Sequence, residues 1–210
     1  MRTRTAALVT AGLGVAAAAA GAVRWRRNPS PMPYWQRLFV DLPHPGITRG
    51  RLIEILEPRP RERLLEVGPG TGYYSFPVAE RLDGGRLEVF DIQQEMLDHL
   101  MRLAGERGVT NIVAWQGDAR ELLFESNRFD GAYLTLVLGE IPDQDAALRE
   151  LARVVKPGGR IVVGETLADP HVVTFSALRS RAEAAGLKFE RRAGTPLAYF
   201  ARFRVPEATR

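Results

Sequence analysis

The sequence contains no cysteine among its 210 residues. That absence excludes a disulfide scaffold, a thiolate zinc site, every cysteine nucleophile and any chemistry that relays a thiophilic substrate through protein thiols. A net positive field is missing too, once the formal charge of +4 is divided along the chain. Residues 1–30 hold Arg2, Arg4, Arg24, Arg26 and Arg27 and no acid; setting those five aside leaves 24 basic groups against 25 acidic ones. A body so balanced has no global attraction for a polyanion, so no nucleic-acid partner is expected. Acid pairs at metal-ligand spacing are absent, so no metal is expected either. At 45% hydrophobic and 26% charged, the composition suits a globular chain with room for one domain rather than two. The body carries no internal repeat or low-complexity tract.

The leader stands apart. Ala6 to Val23 is an apolar stretch of 18 residues rich in Ala, Val and Gly, bracketed by arginines. As a helix it would be about 27 Å long, just short of the roughly 30 Å hydrocarbon thickness, so a span would be marginal. Three readings compete: a membrane anchor, a cleaved signal peptide with Ala20-Gly21-Ala22 at the cleavage site, and a soluble Ala-rich extension. For an anchor, Arg24, Arg26 and Arg27 outnumber Arg2 and Arg4 and favour a cytoplasmic body; the alternative is a soluble cytoplasmic chain. Pro29, Pro31 and Pro33 then break any helix and form a stiff extended spacer. An aromatic segment, Tyr34 to Val40, and a second cluster at Pro43, Pro45 and Gly46 follow. The aromatic segment reads either as a helix packed on the domain edge or as a substrate lid or membrane-interface belt. The expected organisation is a leader over 1–28, a Pro-rich linker or lid over 29–46, and one domain over 47–210.

From residue 47 the hydrophobic period alternates. Helical stripes are expected at Ile47–Glu57, Ser75–Leu82 with Ser75 as N-cap, Gln93–Ala104, Gln144–Val155 and Val172–Ala185. Short apolar runs predict strands at Arg63–Val67, Arg86–Asp91, Ile112–Trp115, Phe129–Leu136 and, after a Pro157-Gly158-Gly159 turn, Arg160–Gly164. Lys188–Arg192 and Ala198–Val205 have no helix between them and predict an antiparallel hairpin at one sheet edge. The fold class is therefore α/β: a seven-stranded, mostly parallel, Rossmann-like sheet with helices on both faces. Ligands of such sheets bind at the carboxyl ends of the strands.

The first strand runs into Glu66-Val67-Gly68-Pro69-Gly70-Thr71-Gly72. Glycines there permit positive φ and close approach of a ligand to the backbone. A dinucleotide fingerprint needs glycine where Tyr73 stands, which speaks against a nicotinamide dehydrogenase. Asp91 closes the second strand 19 residues beyond Gly72. Its carboxylate suits two ribose hydroxyl donors and would repel a 2′-phosphate. Glu66 beside the glycines would repel a phosphate and accept from an ammonium group.

Asp91-Ile92-Gln93-Gln94-Glu95-Met96-Leu97, Gly117-Asp118-Ala119, Phe129-Asp130 and Arg153-Val154-Val155-Lys156-Pro157-Gly158-Gly159 follow in order. With the glycine loop, this series resembles the class I S-adenosylmethionine-dependent methyltransferases of the broad small-molecule type, over roughly residues 47–165. The resemblance implies S-adenosylmethionine as cofactor. It implies that Gly68, Gly70 and Gly72 line the methionine and ribose portion, and that Glu66 faces the amino group directly or through water. Asp91 would hold the ribose, Ile92 and Met96 would sandwich the adenine, and Asp118 and the Ala119 backbone would meet its edge. Thr135 would lie near the departing methyl. Against this, Asp91 and Asp118 also read as turn or cap residues, Met96 as plain core, and Asp130 as structural.

Methyl transfer from a sulfonium is an in-line displacement in which alignment does most of the work, and a base is needed only when the acceptor loses a proton. Candidates for that role are Tyr34, His44, Tyr73, Glu140, Glu165 and His171, with His44 and His171 also reading as solvated surface imidazoles. Leu134 to Glu140 lacks the Asn/Asp-Pro-Pro-Tyr run of the family's base-methylating members, which again speaks against nucleic acid. The leader suggests a hydrophobic or lipid-like small-molecule acceptor reached from a membrane surface. The alternative is a membrane-tethered, non-catalytic binding module.

Overall fold

The computed structural model describes residues 29–35, 44 and 46–207. The apolar helix expected within residues 6–23, most of the aromatic segment and Pro43 and Pro45 lie outside the described residues. Among the described residues no helix is long and apolar enough to cross a membrane.

In chain order the elements are α1 (Arg49–Leu56), β1 (Arg63–Val67), α2 (Ser75–Ala79), β2 (Arg86–Asp91), α3 (Gln94–Glu106), β3 (Ile112–Gln116), β4 (Phe129–Thr135), a 3-10 turn (Leu138–Glu140), α4 (Gln144–Val154), β5 (Val155–Thr166), α5 (Phe175–Ala184), β6 (Lys188–Gly194) and β7 (Ala198–Arg204). The seven strands form one sheet in the order β3-β2-β1-β4-β5-β7-β6. Strands β1 to β5 run parallel, while β7 lies antiparallel to both β5 and β6. The order reverses between β1 and β4, so the carboxyl ends of these two strands frame the crevice where ligands of open α/β sheets bind.

The central strands are apolar on both sides because both faces are covered. Leu64, Tyr133 and Val162 pack with α1, α2 and α3, whereas their neighbours Leu65, Leu134 and Val163 pack with α4 and α5. Each fully buried Leu or Phe contributes about 1.5–3 kcal/mol, so the two cores fix the strand register by the two-residue period alone. At the amino end of the sheet, far from the crevice, Glu88 is fully buried between Arg63 and Arg128.

Three elements depart most from the expected bounds. Helix α2 stops at Ala79, and Arg81 and Leu82 continue with bonds to Val78 and Ala79 three residues back. Its Ser75 lies inside the helix rather than capping it, and Tyr74 takes the N-cap position. Strand β5 starts at Val155 because Val155 pairs with Phe129 and the Gly158 N–H donates to the Val205 carbonyl, so the expected turn is absorbed into the ladder. Helix α5 begins only at Phe175, where the Thr174 side chain accepts from the Ala177 N–H.

Candidate active site

The first βα connection is bent by three glycines at positive φ: Gly68 at 68°, Gly70 at 55° and Gly72 at 89°. The Gly68 N–H donates to the Phe90 carbonyl at 2.9 Å, tying the loop to β2. A Cβ on Gly68 would stand 2.3 Å from Val137 Cγ2, so only glycine lets the β4 connection close against this loop. Gly72 has a different task. A Cβ there would meet the Phe76 ring at 2.5 Å, so it permits the close packing of α2.

A cavity of about 430 Å³ opens at the carboxyl ends of β1, β2 and β4. One wall is the loop at Gly68 and Gly70, a second the β2 end at Asp91, Ile92 and Met96, and a third the β3 end at Asp118 and Ala119. The fourth wall comes from Thr135 and Glu140 on the β4 side. Met96 is buried and Ile92 half exposed, so each presents a different amount of apolar surface to the same space.

The polar groups of this cavity are held in defined states. Asp91 Oδ1 accepts from the Gln93 N–H at 2.9 Å. Burial nevertheless pushes its carboxyl up to about 6, against the opposing pull of the Gln93 and Ile92 N–H groups. Asp118 is more open and is gripped by Arg120, whose Nη2 donates to Oδ2 at 2.6 Å and whose backbone N–H donates to Oδ1 at 2.9 Å. The Arg120 side chain, its hydrogen bond first, holds the Asp118 carboxyl below its ordinary range. Thr135 is 9% exposed and its Oγ1 has no hydrogen-bond partner. The following residue, Leu136, takes φ of 61°, a left-handed geometry costing a non-glycine residue roughly 1–3 kcal/mol. Its N–H donates to the Gly164 carbonyl at 2.9 Å, which anchors that turn to β5.

The segment Pro31–Met32 crosses the rim. Gln93 Nε2 donates to the Met32 carbonyl at 3.0 Å, and the Met32 N–H donates to Glu140 Oε2 at 3.3 Å. Burial pushes Glu140 up to about 8, and the negative charges of Asp169 and Asp91 add to the rise. Neither Gln93, Met32, Asp169 nor Arg120 stood out in the sequence. Asp169-Pro170 after β5 was the one local signal among them.

Other expected residues fall elsewhere. Glu66 is buried behind the loop and does not line the cavity; its Oε2 has no hydrogen-bond partner. Burial pushes it up to about 7, opposed by the Ser75 and Tyr133 hydroxyls. Tyr34 lies against α3, its hydroxyl 3.4 Å from His99 Nδ1, and does not reach the cavity lining. Tyr73 is covered by the Arg49 guanidinium at 3.8 Å. Glu165 is buried and accepts from the Val173 N–H at 3.2 Å, which makes it a support for the β5 connection rather than part of the cavity wall. His44 is not a solvated imidazole. It lines the cavity between the Tyr73 and Tyr74 rings, its Nδ1 is buried without a partner, and burial lowers its basicity. Asp130 accepts from the Arg63 N–H and pairs with Lys156, at the amino end of the sheet. Among the described residues no group of three or more acidic or histidine side chains could hold a metal ion.

Comparison with known proteins follows the same geometry. Residues 64–159 match a family described as a methyltransferase domain. The chain is 35% identical over 120 residues to a ubiquinone/menaquinone biosynthesis C-methyltransferase of Ruegeria sp., covering 57% of this chain and 48% of that protein. These matches support similarity to the class I S-adenosylmethionine-dependent methyltransferases. A nocamycin O-methyltransferase of Saccharothrix syringae is also 35% identical, over 53% of this chain and 40% of its own length. The chain thus spans about half the length of these relatives. A crystal structure of an S-adenosylmethionine-dependent methyltransferase from Aquifex aeolicus superposes with a TM-score of 0.71 at 17% identity, over 83% of this chain and 100% of that one. The [4+2]-cyclase SpnF superposes with a TM-score of 0.69 at 20% identity, over 76% of this chain and 80% of that one, so the fold alone does not assign a reaction.

The residues of the cavity fit the cofactor of that class. Asp91 is a carboxylate that desolvation leaves short of donors, which two ribose hydroxyls would supply. Thr135 offers an unpartnered hydroxyl to the same cavity. Ile92 and Met96 provide apolar surface for a purine.

Proposed function

We propose that this chain transfers a methyl group from S-adenosylmethionine to a small, hydrophobic or lipid-like acceptor. The observation that carries the reading is the one cavity into which Asp91, the Gly68–Gly70 loop and Thr135 all face. When bound, the cofactor supplies a methyl group already activated on sulfonium sulfur. The domain's task is then alignment, in which Asp91 accepts from the ribose and the glycine loop admits the amino-acid portion at short range. Asp118 accepts from the adenine amine, after sharing or releasing its grip on Arg120. Glu140, at the β4 side of the cavity, is the proposed acceptor of a proton if the substrate carries one, and its elevated proton affinity suits that role near pH 8. His44 is the second candidate, since its imidazole, whose basicity burial lowers, lines the same space.

The acceptor class draws support from the relatives named for quinone C-methylation and natural-product O-methylation. The leader supports a membrane-anchored chain with its domain, residues 47–210, on the cytoplasmic side, and a linker over 29–46 joining the two. Incubation of the full chain with methyl-tritiated cofactor and cell extract separated into lipid and aqueous fractions tests the reading. Label in the lipid fraction is the expected result. Label in neither fraction, with cofactor bound, would leave the non-catalytic binding module in its place.

A further inference from the structure

Two of the large apolar side chains that the described residues expose stand side by side at the carboxyl end of the sheet. Leu167 follows β5 and is 53% exposed; Leu197 precedes β7 and is 60% exposed. They are joined by the backbone, the Leu167 N–H donating to the Leu197 carbonyl at 2.8 Å. Thr166 and Ala168, on either side of Leu167, line the cavity, so the pair sits on its lip. Ile92, 49% exposed, stands on the opposite lip at the end of β2. Four strand spacings separate β2 from β7 in the sheet order, so this apolar rim is about 20 Å across.

The rim also marks where the leader joins. Pro31 and Met32 line the cavity, and Met32 is pinned there by Gln93 and Glu140. Asn28 lies three positions before Pro31, a reach of roughly 10 Å, and the apolar stretch ends at Val23, eight positions before it, a reach of up to about 27 Å, so the chain of the leader enters the domain at the mouth end. Apolar rim, cavity mouth and the point where the chain arrives from the leader therefore share one end of the described residues.

We propose that this end docks on a lipid bilayer, with Leu167 and Leu197 entering the interface beside the cavity mouth. The proposal rests on the reading of the cavity as the transfer site. It goes further than a tether, because a tether alone would leave the domain free to tumble in water. Docked in this way, the cavity faces the bilayer, and an acceptor dissolved in lipid enters without crossing water. The arginines beside the leader fit anionic headgroups at the same surface.

The absence of native cysteine makes the test direct. Leu167→Cys, Leu197→Cys and, at the opposite end of the sheet, Asp83→Cys are each labelled in the full chain with an environment-sensitive fluorophore. Vesicles of phosphatidylcholine and phosphatidylglycerol are then added. The proposal expects a blue shift and a severalfold rise in emission at positions 167 and 197, quenched by lipid-borne nitroxide, with no change at 83. Vesicle-bound chain whose labels at 167 and 197 stay in water would overturn it and leave a tether only. Failure to bind vesicles overturns it as well. A blue shift without vesicles, together with a doubled mass in solution, would overturn it in favour of a second copy of the chain. Titration of the same labelled chains with S-adenosylhomocysteine separates this outcome from the transfer reading: cofactor binding with water-exposed labels sinks the docking alone.

Discussion

The Met32 N–H donates to Glu140 Oε2 at 3.3 Å, joining two residues 108 positions apart. With the bond from Gln93 Nε2 to the Met32 carbonyl, this contact straps the linker across the cavity rim. Gln93→Ala removes one of the two bonds. A neutral hydrogen bond contributes about 0.5–1.5 kcal/mol, so the strap should open roughly two- to tenfold more often. Limited chymotrypsin digestion reads this as faster cleavage at Tyr34 and Trp35, and an unchanged rate would show that the strap is held by other contacts.

Cofactor affinity should depend on pH through Asp91. In the free protein burial sets this carboxyl near 6, and ribose donors favour its ionised form. Affinity is therefore full well above pH 6 and falls as pH drops through it, approaching about tenfold per unit, the equivalent of roughly 1.4 kcal/mol. Isothermal titration with S-adenosylhomocysteine between pH 5 and 8 checks the slope. Asp91→Asn should bind weakly and flatten the profile; an equally steep profile in that variant would assign the dependence to another group.

Fold stability should decline as the solution becomes alkaline. Glu66 and Glu140 titrate near 7 and 8 in the folded chain, above their ordinary 4.5, because burial disfavours their charge. The folded state then binds more protons than the unfolded one. The associated stability is fully present below pH 4.5 and lost as pH rises through about 7 to 8. Thermal melts at pH 6 and pH 9 should show the lower Tm at pH 9, and Glu66→Gln should narrow the difference. A gap of the same size in that variant would remove Glu66 from the account.

Gly68→Ala forces a Cβ into Val137 at a positive φ. The strain should cost about 1–3 kcal/mol. Denaturant melts should register this loss, and adding Val137→Ala should recover part of it by clearing the contact. No recovery would mean that the backbone angle alone sets the cost.

Much of this was legible in the sequence. Arg63–Val67 and Arg86–Asp91 are strands with the bounds expected from their apolar runs, since each ends at a residue that turns the chain. The glycine loop, Asp91 and Asp118 could be placed because strand ends carry them to one side by local geometry. Burial is different, because it depends on contacts distant in sequence. His44 seemed a surface imidazole between prolines, yet the two tyrosines of the first βα connection enclose it. Glu165 read as a candidate base, but the β5 to α5 connection folds over it through Val173. Val155 looked helical until pairing with Phe129 drew it into β5.

The central claim is that a nucleoside with an unphosphorylated ribose and an amino-acid tail lies over the ends of β1, β2 and β4. Calorimetric titration of the full chain and of Asp91→Ala with S-adenosylmethionine tests it most directly. The account predicts one-to-one binding that Asp91→Ala weakens by about 1.5–3 kcal/mol, the range for hydrogen bonds to a charged group. No binding at millimolar ligand, or equal binding by both chains, would contradict it.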